Sequence, residues 1–229
     1  MSDEIKDQSE SILANFARIV ESAPEVVPPP PAEKCWPPLV SEKNGWGAKY
    51  IERINLTGNK WLAMLERAKA AVEACGIVAF LGGRGTGKTQ MAAEIARDGR
   101  WPKGGGEWNG YATVYDKKAI YRRTMDLFLD LRDAAKRGSD VSEKDVLRKL
   151  EGAGLLVIDE FQERGETDWE NRMVSNLLDK RYSAQRPTIL IANYTREQMG
   201  EALSASVKDR IRENGKRFDF DWDSYRAKP

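Results

Sequence analysis

Gly82-Gly83-Arg84-Gly85-Thr86-Gly87-Lys88-Thr89 is the stretch that decides the fold of this chain. It fits the pattern G-x-x-x-x-G-K-[ST] at every position. An apolar run at 77–81 precedes it, and a helical pattern at 89–97 follows it. A strand, a glycine-rich turn and a helix in that order make a cradle for phosphates. Glycines let the backbone curl until its N–H groups point inward. A helix starting near Lys88 adds the positive end of its dipole. On this reading Gly82, Gly83, Arg84, Gly85, Thr86 and Gly87 surround the phosphates of ATP. Lys88 reaches the β- and γ-phosphates, and the Thr89 hydroxyl takes Mg2+.

Reading outward, Leu155-Leu-Val-Ile-Asp159-Glu160 is a second apolar run, ending in two carboxylates. In an open parallel sheet, ligands sit at the carboxyl ends of the strands. Asp159 is therefore expected beside the magnesium, through water. Glu160 is placed to polarise an attacking water. Thr188-Ile-Leu-Ile-Ala-Asn193 repeats the pattern, so Asn193 is expected near the γ-phosphate, orienting that water. Arg210 and Arg212 form a basic pair on a late helix. They admit two readings, an arginine supplied to a neighbouring subunit's phosphate or a surface salt bridge with Asp209 or Glu213.

The remaining pattern alternates. Helices are expected at 59–75, 118–136, 143–150, 170–182 and 197–212, the last with a break near Leu203. Strands are expected at 111–115 and 218–222, and a loop at 99–110. Strands alternating with helices predict an α/β fold, a parallel sheet flanked by helices on both faces. The region before residue 46 differs. Ile5, Ile12, Phe16, Ile19 and Val20 recur at helical spacing, giving 3–22 an apolar side. Prolines at 28–31 and 37–38 then make a stiff spacer. The division expected is an N-terminal helix and linker at 1–45 and a nucleotide-binding domain at 46–229. The helix either folds back on its own domain or docks on a partner protein.

Composition narrows the chemistry. With 229 residues, 41% hydrophobic and 32% charged, the chain holds one full domain and something small. The longest apolar stretch, 76–82, is too short to span a bilayer, and the acidic start is unlike a secretory signal. A cytoplasmic protein away from membranes is expected. Two cysteines, Cys35 and Cys75, and no histidine exclude a Ser-His-Asp triad and leave no evident zinc site. A net charge of +1 excludes strong whole-protein attraction to nucleic acid but allows a local basic patch. Residues 117–137 carry seven basic and three acidic side chains, with Tyr121 and Phe128 among them. They read either as a solvated helix face or as a single-strand DNA path.

Several of these stretches together resemble the DnaC group of helicase loaders in the AAA+ superfamily and their relatives, the IstB-type transposition ATPases. The phosphate loop and the 155–160 strand are shared with many ATPases. More specific are Arg186-Pro-Thr-Ile-Leu-Ile-Ala-Asn193, then Asp209-Arg210-Ile, then Phe220-Asp-Trp222-Asp-Ser-Tyr225-Arg226. The resemblance implies a P-loop AAA+ core without a C-terminal lid, preceded by a short helical extension. It implies ATP hydrolysis with Mg2+, and self-association through the ATP sites. Arg210 matches the arginine finger, acting on ATP of the adjacent subunit, and Asn193 matches sensor 1. Arg226 falls where the nucleotide is within reach. A DnaB-type replicative hexameric helicase and single-stranded DNA are the implied partners, with Tyr121, Arg122 and Arg123 as DNA contacts. The IstB-like alternative is a transposition helper that coats duplex DNA and recruits a transposase. The short region before the core and the glycines at 104–106 depart from the family pattern.

Overall fold

The computed structural model describes residues 39–51, 58–74, 76–99, 107–108, 113–114, 118–136, 138–165 and 167–226. The chain parts into two units, residues 1–37 and 38–229. The expected helix at 3–22, most of the proline spacer and both cysteines lie outside the described residues.

A 3-10 turn at Glu42–Asn44 opens the second unit, followed by α1 (Ala48–Ile51), α2 (Asn59–Glu73), β1 (Ile77–Gly82) and α3 (Lys88–Asp98). Next come β2 (Glu107–Trp108), β3 (Thr113–Val114), β4 (Ala119–Arg123), α4 (Thr124–Ala134) and α5 (Glu143–Gly152). β5 (Leu155–Asp159), a 3-10 turn at Phe161–Glu163, α6 (Asp168–Ser183) and β6 (Thr188–Ala192) follow. The chain continues through α7 (Arg196–Ala202), α8 (Ala205–Glu213) and β7 (Lys216–Phe220).

Five strands form one sheet in the order β4-β5-β6-β1-β7, every pair parallel. Central strands covered on both faces must be apolar throughout. β5 and β6 are buried at every position, and β1 at all but its last. Side chains alternate between two cores, as a period of two requires. Val78, Phe80, Leu155 and Val157 face the core beneath α2 and α3, with Trp46, Trp61 and Phe218. Ile77, Ala79, Leu81, Leu156 and Ile158 face the core beneath α4, α6 and α8, with Phe128 and Leu178. Helix starts are fixed locally. Ser142 and Asp145 form a capping box on α5, and Thr195 and Gln198 form one on α7.

Three expectations change. Residues 118–136 are not one helix: Ala119–Arg123 is β4, paired with β5, and the helix starts only at Thr124. Ala119, Ile120 and Tyr121 are buried, which a short edge strand beside β5 achieves and a solvated helix would not. Of the strand expected at 111–115 the described part is Thr113–Val114, which pairs antiparallel with Glu107–Trp108, inside the expected loop and apart from the main sheet. The domain packing begins before residue 46, because Val40 and Trp46 are buried in the core.

One charged side chain is part of that core. Arg181 on α6 is fully buried. It donates to the carbonyls of Leu150 (2.7 Å), Ala153 (2.7 Å) and Pro187 (2.6 Å) and to Thr188 Oγ1 (2.9 Å). The end of α5 and the starts of β5 and β6 are thereby tied to one guanidinium.

Candidate nucleotide site

β1 delivers the chain to the phosphate loop, and α3 carries it away. The loop needs left-handed backbone: φ is +131° at Gly82 and +80° at Gly85. Space there is also short. A Cβ at Gly82 would sit 2.4 Å from Phe220 O, and one at Gly85 would sit 2.0 Å from Ser224 Oγ.

Lys88 begins α3 and is buried. Its Nζ donates to Gly82 O (2.8 Å), Gly83 O (2.6 Å) and Asn193 Oδ1 (3.0 Å). The ammonium is thus held at the loop, within reach of anything the loop encloses. Thr89 Oγ1 donates to Asp159 Oδ2 at 2.8 Å. Asp159 Oδ1 accepts from Glu160 N at 2.7 Å. Glu160 is exposed, with φ +55°, a left-handed conformation uncommon outside glycine. Asn193 N donates to Gln162 Oε1 at 3.0 Å, so the 3-10 turn after β5 steadies the end of β6.

A cleft of about 940 Å³ opens over these groups, and Lys88, Thr89, Asp159, Glu160, Asn193 and Arg226 all line it. The donor set suits a magnesium nucleotide. A hydroxyl and a carboxylate are hard oxygen ligands, of the type magnesium takes together with phosphate and water. Among the described residues no cluster of three or more His, Cys, Asp or Glu is built to hold a metal alone. Phosphate oxygens and water are the ligands that would complete the coordination.

The remaining sequence candidates divide. Arg84 is exposed and lies 3.7 Å from Glu163. Thr86 is buried, its hydroxyl bonded to Gly83 O. Arg210 does not line the cleft; its Nε is 2.9 Å from Asp179 Oδ1, and its guanidinium lies over the Tyr182 ring. The salt bridge expected from local sequence is made instead by Arg212 with Asp209. Arg122 lines the cleft and lies 3.6 Å from Asp130, while Arg123 is exposed beside Asp126. Tyr121 is 8% exposed as a residue and packed on Trp46, which leaves little of its ring open to stack on a base.

Sequence reading missed the strap behind the loop. Trp222 Nε1 donates to Thr86 O at 3.0 Å, and Tyr225 N donates to Gly85 O at 2.9 Å. The C-terminal string thus holds two loop carbonyls outward and brings Arg226 to the cleft. The aromatic and serine content of 222–225 was visible in the sequence, but nothing local says that it touches residue 86.

Burial pushes the Lys88 ammonium down to about 8, against the pull of the Asp159 carboxylate, and Arg226 lowers it further. The sign follows directly. Below that value Lys88 is charged before ligand arrives; above it, phosphates must restore the proton. At about pH 9, nucleotide binding should therefore take up close to one proton, and affinity should fall as pH rises through 8 to 10. Calorimetry in two buffers of different ionisation enthalpy measures this uptake. No uptake at pH 9 would contradict the lowered value.

A parallel sheet of this order, a phosphate loop between β1 and α3, and paired carboxylates ending β5 together define a P-loop nucleotide-binding domain of the AAA+ kind. The family model described as IstB-like ATP binding protein matches residues 58–229, and the chain belongs to that family. It is 31% identical over 150 residues to the replicative helicase loader DnaC of Escherichia coli (strain K12), covering 65% of this chain and 56% of that protein. The loader of the same name from Buchnera aphidicola subsp. Acyrthosiphon pisum (strain APS) is 28% identical over 148 residues, 64% of this chain and 55% of that one. The chain therefore spans little more than half the length of these curated relatives. A solved structure of the DnaC helicase loader superposes with a TM-score of 0.55 at 20% identity, covering 76% of this chain and 99% of that one. The replication initiator DnaA bound to AMPPCP and single-stranded DNA superposes at 0.55, with 16% identity, covering 77% and 51%. These two likenesses show the fold. Among the described residues, no helix is long and apolar enough to cross a membrane.

Proposed function

We propose that this chain is a magnesium-dependent ATPase that loads a DnaB-type hexameric replicative helicase onto single-stranded DNA in the cytoplasm. The observation that carries the ATPase part is the direct Thr89–Asp159 hydrogen bond, next to Lys88 bonded to Asn193. One cleft thereby gathers the groups for binding phosphate, holding metal and orienting water. The loader part rests on the relatives whose printed name is replicative helicase loader.

The division of labour follows from position. Lys88 and the loop N–H groups neutralise and orient the phosphates. Thr89, and Asp159 through water, are the residues to hold magnesium, which supplies positive charge to the phosphate oxygens. Glu160, exposed at the cleft, accepts a proton from the attacking water, and Asn193 fixes that water's direction. Arg210 lies outside this chain's own cleft, which supports a role at the cleft of a neighbouring copy. To act there it must leave Asp179 and Tyr182. Arg122 and Arg123 remain the DNA contacts, through phosphate attraction rather than base stacking.

Mixing variants tests the shared site. Arg210→Ala alone should lower ATP turnover about a thousandfold or more while ATP still binds, in line with the size of arginine-finger effects. Mixing it with Lys88→Ala should restore part of the activity, because each variant supplies what the other lacks. No restoration at any ratio would remove Arg210 from the neighbour's site. For the loader itself, native mass spectrometry of the chain with candidate hexameric helicases should show a complex. The family description favours one second reading, a transposition helper. That reading predicts no helicase complex and ATP-dependent filaments on duplex DNA.

A further inference from the structure

Three donors converge on one carboxylate. Asp159 Oδ2 accepts from Thr89 Oγ1 at 2.8 Å and from Tyr121 Oη at 2.9 Å, and Oδ1 accepts from Glu160 N at 2.7 Å. An ionised carboxylate offers about four acceptor sites, so one remains for a metal-bound water. Asp159 is 6% exposed, and its carboxylate cannot swing without breaking a bond to one of the three.

Tyr121 is itself held. Its ring centroid is 4.9 Å from that of Trp46, whose indole N–H donates to Ala119 O at 2.9 Å. Tyr50 lies 6.3 Å away on the same aromatic stack. Gly45, at φ +88°, presses against the Tyr121 carbonyl so closely that a Cβ would lie 2.2 Å from its oxygen. A phenol placed this deep needs a partner for its hydroxyl, and Asp159 is that partner.

We propose that Tyr121, backed by Trp46, is a positioning residue for the magnesium site, fixing Asp159 Oδ2 through its hydroxyl. This rests on the nucleotide-site reading above. Partners behind a metal ligand commonly set metal affinity, and their loss costs about tenfold or more.

The test removes only the hydroxyl. Tyr121→Phe in the full chain keeps the ring, so the stack with Trp46 survives. Binding of a fluorescent ATP analogue is titrated with Mg2+ and, separately, in EDTA. The Mg2+ concentration for half-maximal tightening should rise about tenfold, while affinity in EDTA should stay within about twofold. A Mg2+ dependence equal to that of the unmodified chain would overturn the proposal. So would an equal loss with and without Mg2+, which marks a packing role. If the unmodified chain itself shows no Mg2+-dependent binding, the nucleotide-site reading fails, and this inference with it.

Discussion

Lys88→Ala should lower ATP affinity by roughly a hundredfold to a thousandfold, because each charge-assisted hydrogen bond contributes about 1.5–3 kcal/mol and the lysine is placed for two phosphates. The side chain is short of alternatives. Lys88 is buried, whereas Arg84 and Arg226, which also line the cleft, are exposed to solvent. The fold should survive the change. The three acceptors that Lys88 leaves, Gly82 O, Gly83 O and Asn193 Oδ1, belong to partly buried or exposed residues that water can reach. Calorimetric or fluorescence titration at about pH 7.5 measures the loss, below the value to which burial moves Lys88. A loss under about fivefold would mean that the loop amides alone hold the nucleotide.

Arg181→Leu should destabilise the domain by about 3–5 kcal/mol, a fall of about 10 °C in Tm for a domain of this size. Replacing a buried ion pair with apolar side chains is often harmless, since both charges go together. Here the acceptors are backbone carbonyls of Leu150, Ala153 and Pro187, which no substitution removes. Stripped of the guanidinium, Leu150 O and Pro187 O keep the long bonds from Ala153 N (3.4 Å) and Leu156 N (3.3 Å), and the strong donor to all three carbonyls is lost. Arg181→Lys should recover only part of the loss, because one ammonium cannot span three carbonyls and Thr188 Oγ1 at once. Thermal unfolding followed by circular dichroism reads both variants. A shift of less than about 2 °C for the leucine variant would show that water replaces the guanidinium.

These cases also mark what the sequence could tell. Lys88, Thr89, Asp159 and Asn193 were legible because each follows a short apolar run, and parallel strands put their ends on one side. The strands β1, β5 and β6 were legible for the same reason. β4 was not. Ala119-Ile-Tyr121 is only three apolar residues, and Arg122-Arg123-Thr-Met-Asp-Leu-Phe continues it in helical period. Only the pairing with β5 makes those three residues a strand, and that is a long-range fact. The helical reading put Tyr121 on a helix, whereas it lies on β4 with its hydroxyl on Asp159. Arg181 gave no signal at all, because burial of one arginine among many depends on the packing of α5, β5 and β6 together. The same holds for Trp222, which meets Thr86 across 136 positions of sequence.

The measurement that most directly tests the central claim is helicase transfer. A DnaB-type hexamer, the full chain and single-stranded DNA circles coated with single-strand-binding protein are incubated with ATP, and helicase on the circles is counted after filtration. Helicase on the circles only when the chain and ATP are both present, and far less with Lys88→Ala, is the result predicted. Helicase that never reaches the circles, while the chain coats duplex DNA in an ATP-dependent way, would contradict it.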